Sequence, residues 1–378
     1  MIINPFQKNK PIIYLIIITY FCAFSVFMSF SSQLISWYHE NKRELPWRST
    51  KNPYHIWLSE IMLQQTRVAQ GLSYYATFTE TFPTVFDLAA ADEQLVLKLW
   101  QGLGYYSRAR NLHFTAKHIA ENLEGEFPSD FKSLKALKGV GDYTASAIAS
   151  IAFNQPNAVV DGNVYRVLSR IFGIDTPINS TEGIKEFKAL AQSLIDQKQP
   201  GTFNQAIMDF GAMQCKPANP DCGNCPFQNS CYAKKEDKQD VLPVKLKKTK
   251  VRKRFFNYLV ILTEDGKTQL NQRTSKGIWQ NLYEFPLIES SNLIPESELI
   301  NSSDFKALPF KNFEISLFNE KPVVHKLSHQ HLHTQFWIVE TSNFDGANIS
   351  WRDVQDYPVP VLMANFLKQF SSNIKSFL

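Results

Sequence analysis

The sequence predicts two folded parts in series, an all-α part followed by an α/β part, with a cysteine loop between them. Three observations carry this. From Phe30 to about Ala212 apolar residues recur at helical spacing, as in Glu93–Trp100, Ala109–Asn122 and Lys185–Ile195, and β-branched alternation is sparse. After Phe255 the texture changes. Phe256–Leu262 and His333–Val339 read as strands, Glu264–Lys267 as a hairpin turn with a strand after it, and Val361–Phe370 as a short helix. Between the two textures, Cys215, Cys222, Cys225 and Cys231 stand at C-x6-C-x2-C-x5-C spacing.

In the first part prolines punctuate the helices at Pro83, Pro128, Pro156, Pro177 and Pro200. A chain of 378 residues with 44% hydrophobic content is large enough for two or three packed domains. Its net charge of +5 excludes a polycation, so any nucleic-acid surface must be local. The basic asymmetry concentrates in Lys245, Lys247, Lys248, Lys250, Arg252, Lys253 and Arg254, a run that suits a solvated linker and DNA-backbone contact equally. Residues 11–27 are almost wholly apolar, at the short limit for a membrane span. The soluble pattern starts at Met28, so the preferred reading starts translation there and treats residues 1–27 as a mis-assigned extension, with a genuine anchor as the alternative. The boundaries that follow are 28–214 for the helical part, 215–232 for the cysteine loop, 233–254 for a basic linker and 255–378 for the second part.

Four of the five cysteines in one short loop point to ligation of an inorganic centre, since disulfides suit small secreted domains. Zinc sites usually pair two C-x2-C units, and only Cys222 and Cys225 form one here. The spacing therefore favours one [4Fe–4S] cluster, with zinc as the rival.

Further motifs carry chemistry. In Leu137–Ala145 two glycines, Gly139 and Gly141, flank one apolar residue and lead into a small-residue helix, an arrangement that frees backbone N–H groups for a phosphate. Val159–Val167 holds Asp161 before a helix, where it serves at least as an N-cap, with Asn163 two residues on. Trp57–Thr66 places Glu60 among Trp57, Leu58, Ile61 and Met62, an apolar surround in which a carboxyl can have a raised pKa and act as general acid; a surface or helix-capping glutamate is the alternative. Gln64 would lie one turn on from Glu60, on the same helical face. Trp100–Leu112 is rich in glycine and aromatics around Tyr105, with Arg108 and Arg110 as candidate phosphate contacts.

Together the motifs W-L-S-E-x-M-L-Q-Q-T, L-x-G-V-G and the cysteine loop resemble the adenine DNA glycosylase (MutY) family of the helix-hairpin-helix DNA glycosylases. The resemblance runs over about residues 30–378. It implies that Glu60 protonates adenine at N7 and helps to activate water, and that Asp161 stabilises an oxocarbenium-like transition state. Gln65 corresponds to the wedge beside the lesion and Tyr105 to an intercalating aromatic. Tyr143 stands where bifunctional relatives carry a Schiff-base lysine, which implies base excision without an efficient lyase step; Lys138 is structural or phosphate-directed. The second part resembles the family's MutT-like (Nudix-like) domain, with Gly277–Pro286 as its G-x-W-x-x-L-Y-x-F-P strand. The hydrolase motif R-E-x-x-E-E is missing, so the domain should bind and not hydrolyse. Leu327-Ser328-His329 matches the family's F-S-H loop that reads 8-oxoguanine, with leucine in place of phenylalanine. A metal reading of His325, His329, His331 and His333 is the weaker alternative.

The implied protein is a cytoplasmic, nucleoid-associated monomer without a membrane partner. It acts on double-stranded DNA carrying adenine opposite 8-oxoguanine or guanine. The competing readings are an endonuclease III-like pyrimidine glycosylase/lyase and a non-catalytic DNA-binding iron–sulfur protein.

Overall fold

The computed structural model describes residues 30–246 and 251–373, with side chains as far as Phe370. The apolar N-terminal segment and the Met28 start lie outside the described residues. Among the described residues no helix is long and apolar enough to cross a membrane. In chain order the helices are α1 (residues 30–41), α2 (Pro53–Met62), α3 (Val68–Thr81), α4 (Val85–Ala90), α5 (Glu93–Leu99), α6 (Ser107–Asn122), α7 (Phe131–Ala136), α8 (Asp142–Phe153), α9 (Gly162–Phe172), α10 (Thr181–Leu194), α11 (Pro200–Met213) and α12 (Tyr232–Lys235). Strands β1 (Arg252–Thr263), β2 (Lys267–Thr268), β3 (Asn271–Gln272), β4 (Tyr283–Glu284) and β5 (Leu287–Ser290) follow. Then come α13 (Glu296–Asn301), α14 (Ser303–Lys306), β6 (Phe313–Leu317), β7 (Val323–Lys326), β8 (Gln330–Thr341), β9 (Ile349–Ser350) and α15 (Val361–Asn373). The all-α and mixed α/β classes expected from the sequence are both present.

The chain gathers into two compact units that do not follow this order. One takes residues 30–64 together with 123–246; the other takes residues 65–122 with 251–373.

The first unit contains α1, α2 and α7 to α12. Its helices start where the sequence supplies caps: Asn52 accepts from Tyr54 N, Asp130 from Ser133 N and Asp161 from two backbone N–H groups. Phe30 stacks on Phe227 with ring centroids 5.0 Å apart and also meets Phe172 and Phe203, tying α1 to the cysteine loop between Cys225 and Cys231. Trp57 is fully buried and meets Phe127 edge-on. Helix α8 is buried at every position from Thr144 to Ile151, and Ala145, Ser146, Ala147, Ala149 and Ser150 are small enough to let its neighbours come close. Gly201 of α11 shows how close: an added Cβ would stand 2.7 Å from Ser150 O.

In the second unit β1 and β8 run parallel at the centre of a sheet ordered β5-β1-β8-β6, with β7 also on β8. The register pairs Tyr258 with Phe336 and Leu259 with Trp337. The near-continuous apolar run of β1 follows from burial on both faces. Leu259, Ile261, Trp337 and Val339 pack with Leu299 and Phe305 on one side. On the other, Phe366 of α15 stacks on Phe336 at 4.1 Å.

Three expectations need correction. The basic run does not stay linker to residue 254: Arg252, Lys253 and Arg254 open β1, paired with Gln330, His331 and Leu332, because β8 extends far enough to hydrogen-bond them. The turn at Glu264–Lys267 is real, with Gly266 N donating to Thr263 O, but β2 beyond it pairs with β9 and not back onto β1. Gly277–Pro286 is not one strand: Trp279 and Asn281 adopt positive φ of 59° and 65°, which ends extension, and only Tyr283–Glu284 is strand.

Candidate active site and nucleic-acid interface

Three helix ends of the first unit bring ionisable groups together. Glu60 sits in the last turn of α2 and is only 8% exposed. Burial pushes its carboxyl up to about 7, and the nearby Asp161 charge adds to this; a hydrogen bond with Tyr143 and the Arg48 charge pull the other way. Tyr143, the second residue of α8, is driven well above its ordinary value by burial and by the two carboxylates, so it remains a neutral phenol. Its hydroxyl also lies 2.9 Å from Met208 Sδ on α11.

Asp161 caps α9. Its Oδ1 accepts from Asn163 N at 2.9 Å and Val164 N at 2.8 Å, and its Oδ2 accepts from Asn163 Nδ2 at 2.9 Å. Burial raises its pKa and these donors oppose the rise. Asn163 therefore holds Asp161, and it is held in turn by Arg166 Nη2 at 2.8 Å. Arg166 also donates to Gly211 O and Cys215 O, joining the aspartate to the cysteine loop. Gly211 is needed here, since a Cβ would stand 2.6 Å from Asn163 Cβ.

Gln64 departs from the sequence reading. Helix α2 stops at Met62 with Leu63 as its C-cap, so Gln64 is past the helix and not one turn along its face. Its Nε2 donates to Thr144 Oγ1 at 3.1 Å, on the hairpin helix. Gly139 takes φ of +82°, and Gly141 has open space where a Cβ would be.

Sequence reasoning missed the support beneath Glu60. Arg48 grips the fully buried Asp209 through both oxygens, at 2.5 and 2.8 Å, and Arg43 Nε adds a bond of 2.9 Å. Burial alone would raise Asp209, but these arginine hydrogen bonds hold it below its ordinary value. Nothing in the sequence pairs Arg48 with Asp209.

The residues with an expected role at the lesion lie in the second unit. Gln65 and Tyr105 are both exposed and both adopt left-handed backbone, with φ of 57° and 48°. Non-glycine residues there carry strain that surrounding structure must hold. Arg108 supplies that hold: its Nη2 donates to Leu103 O and Gly104 O at 3.1 Å and to Thr66 Oγ1 at 3.3 Å, and its guanidinium lies over the Tyr105 and Trp100 rings. Arg108 is thus buried as a brace for both loops, a correction to its reading as a phosphate contact. Arg110 is half-buried and donates to Gln280 O at 2.8 Å, a backbone bond in place of an open phosphate-binding head. Ser328 and His329 are exposed at the turn between β7 and β8, which Leu327 N closes onto Gln330 O. Tyr105 Oη and Ser328 Oγ hydrogen-bond at 2.6 Å, joining two residues that are 223 positions apart in sequence.

The four cysteines are free and half-buried. Among the described residues no group of three His, Cys, Asp or Glu side chains is gathered as for a single metal ion. The thiols nevertheless feel one another: Cys225 is raised to about 11, first by burial and then by the charges of Cys215, Cys231 and Cys222. Arg170 Nη1 approaches Cys215 Sγ at 3.5 Å, and Cys231 Sγ donates to Arg170 O. Four thiols within electrostatic reach, with cationic arginine beside them, form a donor set that fits a multi-thiolate centre.

Comparison with known proteins agrees with this geometry. Residues 58–193 match the HhH-GPD superfamily base excision DNA repair protein model, and residues 257–369 match the NUDIX domain model. The human adenine DNA glycosylase is 45% identical over 223 residues, 57% of this chain but only 41% of the human protein, so the chain spans about two fifths of that relative's length. The adenine DNA glycosylase of Buchnera aphidicola subsp. Baizongia pistaciae (strain Bp) is 35% identical over 312 residues, 82% of this chain and 86% of that one. Among solved structures, a thermostable thymine-DNA glycosylase superposes with a TM-score of 0.52 at 29% identity, covering 56% of this chain and 97% of its own. A helix-hairpin-helix unit with paired acids at helix ends, a Nudix-type domain after it, and a relative matched over most of both lengths lead to one conclusion: the chain belongs to the adenine DNA glycosylase family.

Proposed function

We propose that this protein excises adenine paired with 8-oxoguanine, or with guanine, by hydrolysing the N-glycosidic bond without strand cleavage. The observation that carries the reading is Glu60, a carboxyl held at about 7 by burial beside Asp161. An acid with a pKa near the working pH is suited both to give up a proton and to take one back. Once adenine is flipped out of the duplex, Glu60 protonates it at N7. The bond from C1′ to N9 then breaks with its electron pair leaving on the neutralised base. Asp161 faces the developing oxocarbenium charge, and the donors from Asn163 and Val164 favour its anionic form against the burial that raises its pKa. Glu60, now a carboxylate, takes a proton from the water that attacks C1′. Tyr143 hydrogen-bonds Glu60 and offers no amine, so no Schiff base forms.

The exposed pair Tyr105 and Ser328 supports recognition of the base opposite adenine, with Gln65 as the wedge. Cys215, Cys222, Cys225 and Cys231 would hold one [4Fe–4S] cluster. When bound, such a cluster supplies a cross-link for this loop and a redox-active centre. The protein works as a monomer on duplex DNA in the cytoplasm. The deciding experiment is single-turnover base release from duplexes carrying adenine opposite 8-oxoguanine, adenine opposite guanine and thymine opposite guanine, each with and without alkali. Adenine release with alkali-dependent strand breaks is the result expected. Thymine release, or breaks without alkali, would overturn the reading.

A further inference from the structure

The hairpin carries a charge cluster that base excision does not use. Asp142 opens α8, and two lysines reach it from other helices. Lys135 Nζ, from the last turn of α7, lies 2.6 Å from Asp142 Oδ1, and Lys188 of α10 bonds Oδ2. None of the three is a core group: their side chains are 52%, 46% and 33% exposed for Lys135, Lys188 and Asp142. Exposed ion pairs add little to stability, so structural need does not explain the convergence of two ammonium groups on one site. The cluster's formal charge is two positive and one negative, a net +1. It stands next to Gly141, which has open space where a Cβ would be, and near Gly139 at a φ of +82°. An acid at that place opposes a polyanion unless cations outweigh it.

We propose that Lys135 and Lys188 form an additional phosphodiester contact for duplex DNA, and that Asp142 attenuates it by holding both ammonium groups while cancelling one of their charges. The proposal rests on the reading of the hairpin as a DNA clamp and is independent of which base is excised. An attenuated contact lets the protein leave undamaged duplex readily, because phosphate contacts supply most non-specific affinity.

The test uses the full chain and an undamaged duplex, with binding measured by fluorescence anisotropy across a potassium chloride series. The variants are D142N, the double variant K135A/K188A and the triple combination. Each phosphate contact adds about 0.9 to the slope of log affinity against log salt. D142N should bind undamaged duplex more tightly with a slope steeper by about 0.9, and K135A/K188A should have a slope shallower than wild type by a similar amount. In the triple variant D142N should relieve the repulsion by the bare carboxylate but add no phosphate contact, so the slope should stay shallower than that of D142N alone. A wild-type slope in D142N, or in the lysine double variant, overturns the proposal. Should D142N fail to fold by circular dichroism, the lysine variant alone decides by its slope. Failure of adenine release with these slopes intact would fall on the substrate reading, whereas a wild type that binds duplex without salt dependence would remove both.

Discussion

Replacing Glu60 with glutamine removes the one carboxyl whose environment is set furthest against ionisation in the chemistry of this site. Burial displaces it from 4.5 to about 7. At 1.36 kcal/mol per pH unit this makes the ionised form about 3 kcal/mol costlier in the folded protein than in the unfolded chain. The sign follows from proton counting. Below about pH 4.5 both states hold the proton and the wild type has its full stability. As pH rises from there the unfolded chain gives up its proton first, so stability declines until the folded carboxyl ionises at about pH 7. Glutamine cannot ionise and keeps a similar shape. Measured by urea unfolding, the stability of E60Q relative to wild type should therefore rise by about 3 kcal/mol between about pH 4.5 and about pH 8. Under the same reasoning wild-type adenine release should decline as pH rises through about 7, the range in which Glu60 loses its proton. E60Q should lose at least ~10²-fold in single-turnover rate while retaining duplex affinity. A stability difference that does not change with pH, or near-wild-type cleavage by E60Q, would refute the assignment of a buried proton donor.

Tyr143 offers no amine, so borohydride treatment during turnover should trap little enzyme–DNA adduct; trapping as efficient as that of a lysine-bearing lyase would contradict it. Tyr143→Phe removes a hydrogen bond that lowers the Glu60 pKa, so the alkaline limb of the rate profile should move to higher pH. Purified protein should be brown and lose its colour with Cys222→Ser; a colourless protein with stoichiometric zinc would decide for the mononuclear site. Alanine at Ser328 and His329 should narrow the preference for 8-oxoguanine over guanine by ~1–3 kcal/mol, read as the ratio of single-turnover rates on the two mispairs, because one base edge loses its hydrogen bonds. An unchanged ratio would place recognition elsewhere, with Leu327 then the mark of a loop that has lost the role.

Much of this was legible in the chain. Helical periodicity gave way to strands after Phe255, and the structure follows that change. Asp161 before an apolar helix is a local cap, and local geometry is what sequence reports best. The apolar neighbours of Glu60 lie within three residues of it, which made a desolvated carboxyl one reading of the sequence, but its burial is a result of the fold. Contacts that depend on distant residues could not. Asp209 beneath Arg48 is 161 positions away, and Ser328 against Tyr105 is 223 away. The fate of an arginine is equally a tertiary matter: Arg108 looks like a phosphate contact in sequence, but the carbonyls of a tight glycine turn claim its guanidinium. Spacing and composition thus determined which residue types could ligate, protonate and cap, because these are properties of short segments. Which carboxyl is buried, which arginine remains free and which loop meets Tyr105 were decided only by folding, since burial and long-range pairing arise when segments far apart in sequence exclude water together.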